Sequence, residues 1–357
     1  MLFCCARHAP EQGHGHGPAS AKGARNRRID IHCHVYVAEV EGLLPDDDDG
    51  AEDAIGSLTD RINAEQHRLT LPALTDPEVR LADMERQGID IQVLSPAPFQ
   101  YGYHLPPETG RAVARTVNDR IATLVERYPH RFVGLGTVPL QEPGMAVAEL
   151  ERCVTELGMK GIEIDTRVND RDLTRAGLER LFARAEELGA VLFMHPIGTS
   201  IAQRMDDHYF PNLLGHPMES ALALGHLVFD GWLARHPDLK LVVAHGGGFL
   251  PAYWGRLDHA WRMRADCRQH IDREPSYYLR QVHVDTVVFD ALELRHLIEA
   301  WGPERVLLGT DYPFDMGEPD PVGLLDRVAG LTATDRALIE CGNAARLLGI
   351  PQAVTGA

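Results

Sequence analysis

The sequence predicts a (β/α)8 barrel, and three observations predict it. Short β-branched runs alternate with longer amphipathic stretches, the pattern of parallel strands joined by helical crossovers. Several of those runs end on a metal-binding or acid/base side chain: Ile31-His32-Cys33-His34, Met194-His195, Ala244-His245, Val284-Asp285 and Thr310-Asp311. The C-terminal ends of strands are where a barrel assembles its active site. Finally, the first run leads into His-Cys-His, where an open doubly wound sheet would carry a glycine-rich nucleotide loop.

Taken in order, the candidate strands are the β-branched runs at 29–33, 90–95, 131–138, 160–165, 190–195, 239–244, 281–286 and 305–310. Between them, apolar residues recur with helical period at 77–88, 108–128, 145–157, 172–188, 217–235, 290–301 and 333–347. Two stretches break the rhythm. Residues 38–76 form a long insertion after the first strand, and their Asp46–Asp49 run reads as a solvated loop, since no EF-hand spacing follows it. Residues 196–216 form a second long loop on the catalytic face, placed to shape a substrate pocket. Residues 1–26, rich in Gly, Ala and His, read as a disordered leader, and 27–357 as a single barrel domain. His14 and His16 in the leader form an HxH pair with no strand to hold it.

Composition narrows the partners. Asp and Glu number 52 against 35 Lys and Arg, a formal charge of −17. Nucleic acids and anionic membranes need a cationic surface, so neither is expected as a partner. No run of about 18 apolar residues is present to span a bilayer. The six cysteines contain no CxxC pair and, in a chain of 357 residues, suggest a reducing cytoplasm rather than a disulfide framework.

His32 and His34 stand two apart on a strand end, so both side chains point to one face of the pleat, into the barrel, and Cys33 points away. With His195 and Asp311 they make a His₃Asp set that leaves room for water. Such mixed N/O ligation suits Zn²⁺ best and also admits Mn²⁺ or Fe²⁺. Lys160 precedes its strand rather than ending it, which argues against a lysine bridging two metals and for a mononuclear site. His245, followed by three glycines, reads as the acid/base residue beside the metal. Asp285 could orient a ligand or cap the following helix.

The strings RIDIHCH (28–34), PALTDPEVRLADME (72–85), HP (195–196), VVAHGGGFLPAYWGRLDHAWR (242–262) and LLGTDYPFDMGEPDP (307–321) carry a resemblance. From about residue 28 to the C-terminus the chain resembles the amidohydrolase-related metal-dependent decarboxylases of the aminocarboxymuconate-semialdehyde decarboxylase kind. The resemblance implies a barrel of the amidohydrolase type, a divalent metal (zinc in the nearest relatives) and loss of CO₂ from an unsaturated or aromatic carboxylate. It implies His32, His34, His195 and Asp311 as metal ligands, with His245 and Asp311 catalytic. Arg68 matches a substrate-carboxylate arginine. Arg256 matches a second arginine that reaches into a neighbouring subunit's site, which implies a homodimer. The chain departs from the family pattern at Ile197-Gly198-Thr199, where Trp-Asp-Met is usual, and at Asn212, where an aromatic is expected. A different substrate pocket follows.

Two other functions use the same residues. A hydrolase or hydratase would direct water at a carbonyl or alkene carbon, and would be recognised by water added to its product. A non-catalytic binding or scaffold protein would purify without metal.

Overall fold

All eight predicted strands form: β1 (Ile29–Val35), β2 (Ile91–Pro96), β3 (Phe132–Gly134), β4 (Gly161–Ile164), β5 (Val191–Met194), β6 (Lys240–Val243), β7 (His283–Asp285) and β8 (Val306–Leu307). They are seen in a computed structural model that describes residues 27–43, 58–205 and 207–351; the expected leader 1–26 and the Asp46–Asp49 run lie outside these. Every pairing between them is parallel, in the order β1-β2-β3 and β4-β5-β6-β7-β8. Backbone hydrogen bonds join the two runs into a ring. Lys160 N–H reaches Gly134 O at 2.9 Å and Gly136 N–H reaches Gly161 O at 3.0 Å, closing β3 on β4. Ile31 N–H reaches Leu308 O at 2.9 Å and His34 N–H reaches Tyr312 O at 2.8 Å, closing β8 and the segment after it on β1.

Side-chain alternation sorts each strand into an interior and an exterior. Ile91, Val93, Leu135, Val191, Phe193, Val242, Ala244 and Leu307 fill the barrel, while Leu94, Ile162, Ile164, Leu192, Met194, Leu241, Val243 and Val284 pack outward on the helices. β1 would break this rule without a bulge. Asp30 pairs with Gln92 and Cys33 with Leu94, so Ile31 and His32 together stand opposite Val93. One extra residue in a strand shifts its parity. Ile29 and Ile31 therefore point inward below the bulge, and His32 and His34 point inward above it. Cys33 and Val35 turn outward, as expected for Cys33. The helix Asn343–Leu348 plugs the N-terminal end of the barrel with Ala344, Ala345, Leu347 and Leu348.

The helices begin and end on local signals. Asp76 caps Pro77–Gln87 by accepting from Glu78 N–H, and Asp290 caps Ala291–Trp301 by accepting from Leu292 and Glu293. The stretch expected as a helix at 172–188 becomes one only over Glu179–Leu188, because Gly177 takes a left-handed φ of 77° that an L side chain resists. Within the 38–76 insertion, Leu58–Thr75 is a helix, with Leu58 and Ile62 exposed and Leu74 buried. Among the described residues, no helix is long and apolar enough to cross a membrane.

Candidate metal centre and active site

The strand ends bring His32, His34, His195, His245 and Asp311 to one point at the C-terminal mouth. His32 Nε2 lies 3.1 Å from His34 Nε2, and Asp311 Oδ1 lies 3.1 Å from both. His195 Nε2 is 3.9 Å from Asp311 Oδ1, and His245 Nε2 is 3.4 Å from Asp311 Oδ2. One donor atom each from His32, His195, His245 and Asp311 falls within 4.8 Å of the others.

What holds these side chains also fixes their chemistry. His32 Nδ1 is 2.6 Å from Asp285 Oδ2, and His34 Nδ1 is 3.0 Å from Pro96 O. Each Nδ1 is thus engaged by an oxygen acceptor, and each Nε2 is left facing the other and a carboxylate oxygen. Lone pairs 3.1 Å apart repel unless a cation or proton lies among them. His195 is buried with neither ring nitrogen hydrogen-bonded among the described residues. A buried imidazole with two unmet nitrogens is costly, and ligation removes that cost. This donor set fits a divalent metal ion.

The same crowding sets the ionisation. Burial opposes charging His32, yet Asp311 and Asp285 outweigh it and raise its pKa well above that of an ordinary imidazole. Burial, reinforced by His34, His245 and His32, holds His195 well below that range. Asp311 stays far below the usual carboxylate range against its own burial, because His32, His245 and His34 face it. Backbone strain sits here too: His245 and Asp311 have φ of 56° and 60°. Each such residue costs about 1 kcal/mol or more, which marks a geometry imposed by its surroundings.

Asp285 fixes the ring of His32. It also accepts from the backbone N–H groups of His245, Gly246 and Val287, so one carboxylate holds both the His32 ring and the turn that carries His245. Gly309 makes room for this arrangement, since a Cβ there would meet Asp285 Cβ at 2.9 Å and His32 Cβ at 3.1 Å. His245 differs from the other histidines. Its Nδ1 has no partner among the described residues, and its ring borders a cavity of about 440 Å³ lined by Asn212, His216, Phe249, Phe289 and Met316.

Arg68 and Arg256 stand apart from this cluster. Arg68, on the helix Leu58–Thr75, is exposed and forked onto Glu65 with bonds of 2.7 and 3.0 Å. Arg256 is exposed on the helix Leu250–Met263.

Sequence reasoning missed Glu163 and His216. Glu163 lies inside the barrel, 3.7 Å from His34 Nδ1, accepts from Tyr101 O–H at 2.7 Å, and has its pKa raised by burial. A lone acid in the apolar run Gly161-Ile162-Glu163-Ile164 is the signal that could have found it. His216 stacks on His245 with ring centres 6.2 Å apart and, pushed down to about 4 by burial and by His245, stays neutral. It closes the stretch 196–216 read as a loop, and the structure makes it the first residue of the helix His216–Phe229.

Comparison with known proteins agrees with this geometry. The model of the family described as Amidohydrolase matches residues 29–350. A 2-amino-3-carboxymuconate-6-semialdehyde decarboxylase from Dictyostelium discoideum is 38% identical, over 77% of this chain and 77% of its own length. A gamma-resorcylate decarboxylase from Rhodococcus jostii is 31% identical over 67% of this chain and 77% of its own. Among solved structures, 5-carboxyvanillate decarboxylase from Sphingomonas paucimobilis superposes with a TM-score of 0.80 at 28% identity, over 91% of this chain and 99% of that one. The corresponding enzyme of Novosphingobium aromaticivorans, solved with manganese and 4-hydroxy-3-methoxy-5-nitrobenzoic acid, gives 0.81 at 26% identity, over 91% and 96%. With the family match running through every barrel strand and a 38% identical relative covering 77% of its length, this chain belongs to the amidohydrolase family.

Proposed function

We propose that this protein is a metal-dependent nonoxidative decarboxylase of an aromatic or otherwise unsaturated carboxylic acid. The observation that carries the reading is the placing of His245 between a buried His/Asp cluster and an open, largely apolar cavity. His32, His34, His195 and Asp311 are assigned as the ligands, and zinc as the ion, since three imidazoles and a carboxylate match its preference; manganese in the Novosphingobium relative makes it the competing ion. When bound, the ion supplies a Lewis acid that holds and polarises the substrate's oxygens.

The remaining chemistry falls to this chain's side chains. His245 delivers a proton from Nε2 to the carbon that bears the carboxylate, which interrupts conjugation there. The bond to the carboxyl carbon then breaks, its electrons return to the unsaturated system, and CO₂ leaves with the proton in its place. Asp311 Oδ2, 3.4 Å from His245 Nε2, holds that side of the ring in place beside the cluster. Phe249, Phe289 and Met316 offer the cavity apolar surface on which a planar ring can lie.

Arg68 and Arg256 are assigned to the substrate's carboxylate groups, Arg256 across a homodimer interface. Its outward position, beside the exposed Phe249 and Tyr253, supports a role toward a second copy. The free cysteines Cys33, Cys153, Cys267 and Cys341 support a cytoplasmic location. The test is metal analysis of the purified protein with a panel of hydroxybenzoates and muconate semialdehydes, read by CO₂ release. Products heavier by one water, without CO₂, would replace this reading with a hydratase or hydrolase.

A further inference from the structure

The N-terminal end of the barrel, opposite the metal centre, gathers charge of the wrong sign for this chain. Lys240 and His283 begin β6 and β7, whose other ends lead to His245 and Asp285. With Arg305, Arg346 and Glu304 they line a cavity of about 390 Å³. Arg305 also borders a neighbouring cavity of about 540 Å³ that holds Arg273 and Arg280. The protein carries 52 acidic residues against 35 basic ones, so counterions are plentiful elsewhere. Yet these cations bond only to neutral acceptors. Lys240 Nζ donates to Leu347 O at 3.0 Å, Arg346 to Asn343 Oδ1 at 2.8 Å, and Arg305 to Gln281 O at 3.2 Å. Among the described residues none of the three has a carboxylate within ion-pair distance. Glu304, the one acid on the wall, is exposed.

The effect is a standing positive potential. Burial and then Lys160 lower the pKa of Lys240; burial lowers that of Arg305, with Glu304 opposing and Arg346 adding. His283 is buried with Nδ1 unpartnered among the described residues, and burial, Arg305 and Arg346 press it down to about 3. Like charges held together with only the exposed Glu304 to offset them are a cost that an anion would reduce.

We propose that this N-terminal-face cavity is a binding site for a small divalent oxyanion, a phosphoryl or dicarboxylate group, gripped by the guanidinium forks of Arg305 and Arg346 with Lys240 completing the charge. Planar forks match such oxygens two at a time, and the lysine adds a point charge. The anion is distinct from the substrate, because the cavity lies at the opposite ends of the strands from His245.

The probes are inorganic phosphate and succinate, added to the metal-loaded protein at ionic strength matched with sodium chloride. Thermal unfolding should shift upward by about 3 °C with at least one anion well above its Kd and not with chloride. The double variant Arg305→Gln/Arg346→Gln should lose that shift and, without added anion at low salt, be at least as stable as the parent. If the double variant does not fold, Arg346→Gln alone should weaken phosphate or succinate about tenfold by titration calorimetry, the loss of one charge-assisted contact. A response to phosphate alone assigns a phosphoryl ligand, and a response to succinate alone a dicarboxylate. A shift matched by chloride, or one that survives the substitutions and so belongs to the metal centre, overturns the proposal.

Discussion

At Asp311 one carboxylate serves two sets of neighbours, with Oδ1 toward His32 and His34 and Oδ2 toward His245. That division predicts how single substitutions separate. His195→Ala should release the metal and abolish turnover, since it removes one of the four assigned ligands. His245→Asn should keep most of the metal and lose rate by about 10²–10⁴, the usual share of a general acid/base. Metal content measured alongside kcat checks the pair, and a His245→Asn protein stripped of metal would make His245 a ligand. Asp285→Asn tests the layer behind. It leaves every assigned ligand in place but weakens the acceptor for His32 Nδ1–H at 2.6 Å and for the His245 turn. Metal affinity should fall by about 10–100-fold by competition with a chelator. An unchanged affinity would show that His32 needs no orienting carboxylate.

At the scale of a strand, β7 joins two opposite demands, an anionic Asp285 at the metal end and a neutral His283 at the other. Burial, then Arg305 and Arg346, push the pKa of His283 from the ordinary 6.5 down to about 3 in the fold, so the unfolded chain takes up a proton that the folded chain refuses. Its folded pKa is the lower one, so the fold loses stability as pH drops below 6.5 and continues to do so until about 3. At pH 5 the penalty is about 2 kcal/mol. His283→Gln removes it, so urea unfolding of the variant should weaken between pH 7 and pH 5 by that much less than the parent; parallel losses in the two proteins would refute the assignment. Strand β7 also shows what a sequence can and cannot disclose. Its existence was legible from β-branched residues, as were the other seven strands, because burial on both faces leaves apolar runs. The inward turn of His32 and His34 was legible from their spacing. The bulge that reconciles it with Ile29 and Ile31 was not, since an extra residue in a ladder appears only when the partner strand is present. The helix Leu250–Met263 escaped notice for a related reason: exposed Tyr253 and Met263 blur its apolar stripe. Glu163 and His216 take their meaning from neighbours distant in sequence.

For the molecule as a whole, the proposed role of Arg256 turns on a second copy. Arg256 is exposed, and Phe249, Tyr253, Leu213 and Phe289 lie open around the cavity mouth or on the same helix. Clustered apolar side chains at the rim of a site are the surface a partner covers. If Arg256 completes the neighbour's site, Arg256→Ala and His245→Ala proteins should each be nearly inactive as pure homodimers. Losing a guanidinium fork from a bound carboxylate commonly costs about 2–5 kcal/mol, a fall in kcat/KM of about 30-fold to several thousand-fold. Mixing them after reversible dissociation should restore activity. In a heterodimer one site joins the intact His245 of one chain to the intact Arg256 of the other, while the second site lacks both. Random exchange makes half of the dimers mixed, so about one quarter of parental activity should return. Recovery should track heterodimer content measured by native mass spectrometry with one subunit tagged. Heterodimers that form and stay inactive would confine Arg256 to its own chain, and a monomer in sedimentation would remove the shared site altogether. Neither result would touch the assignment of His245, which rests on the cluster within a single barrel.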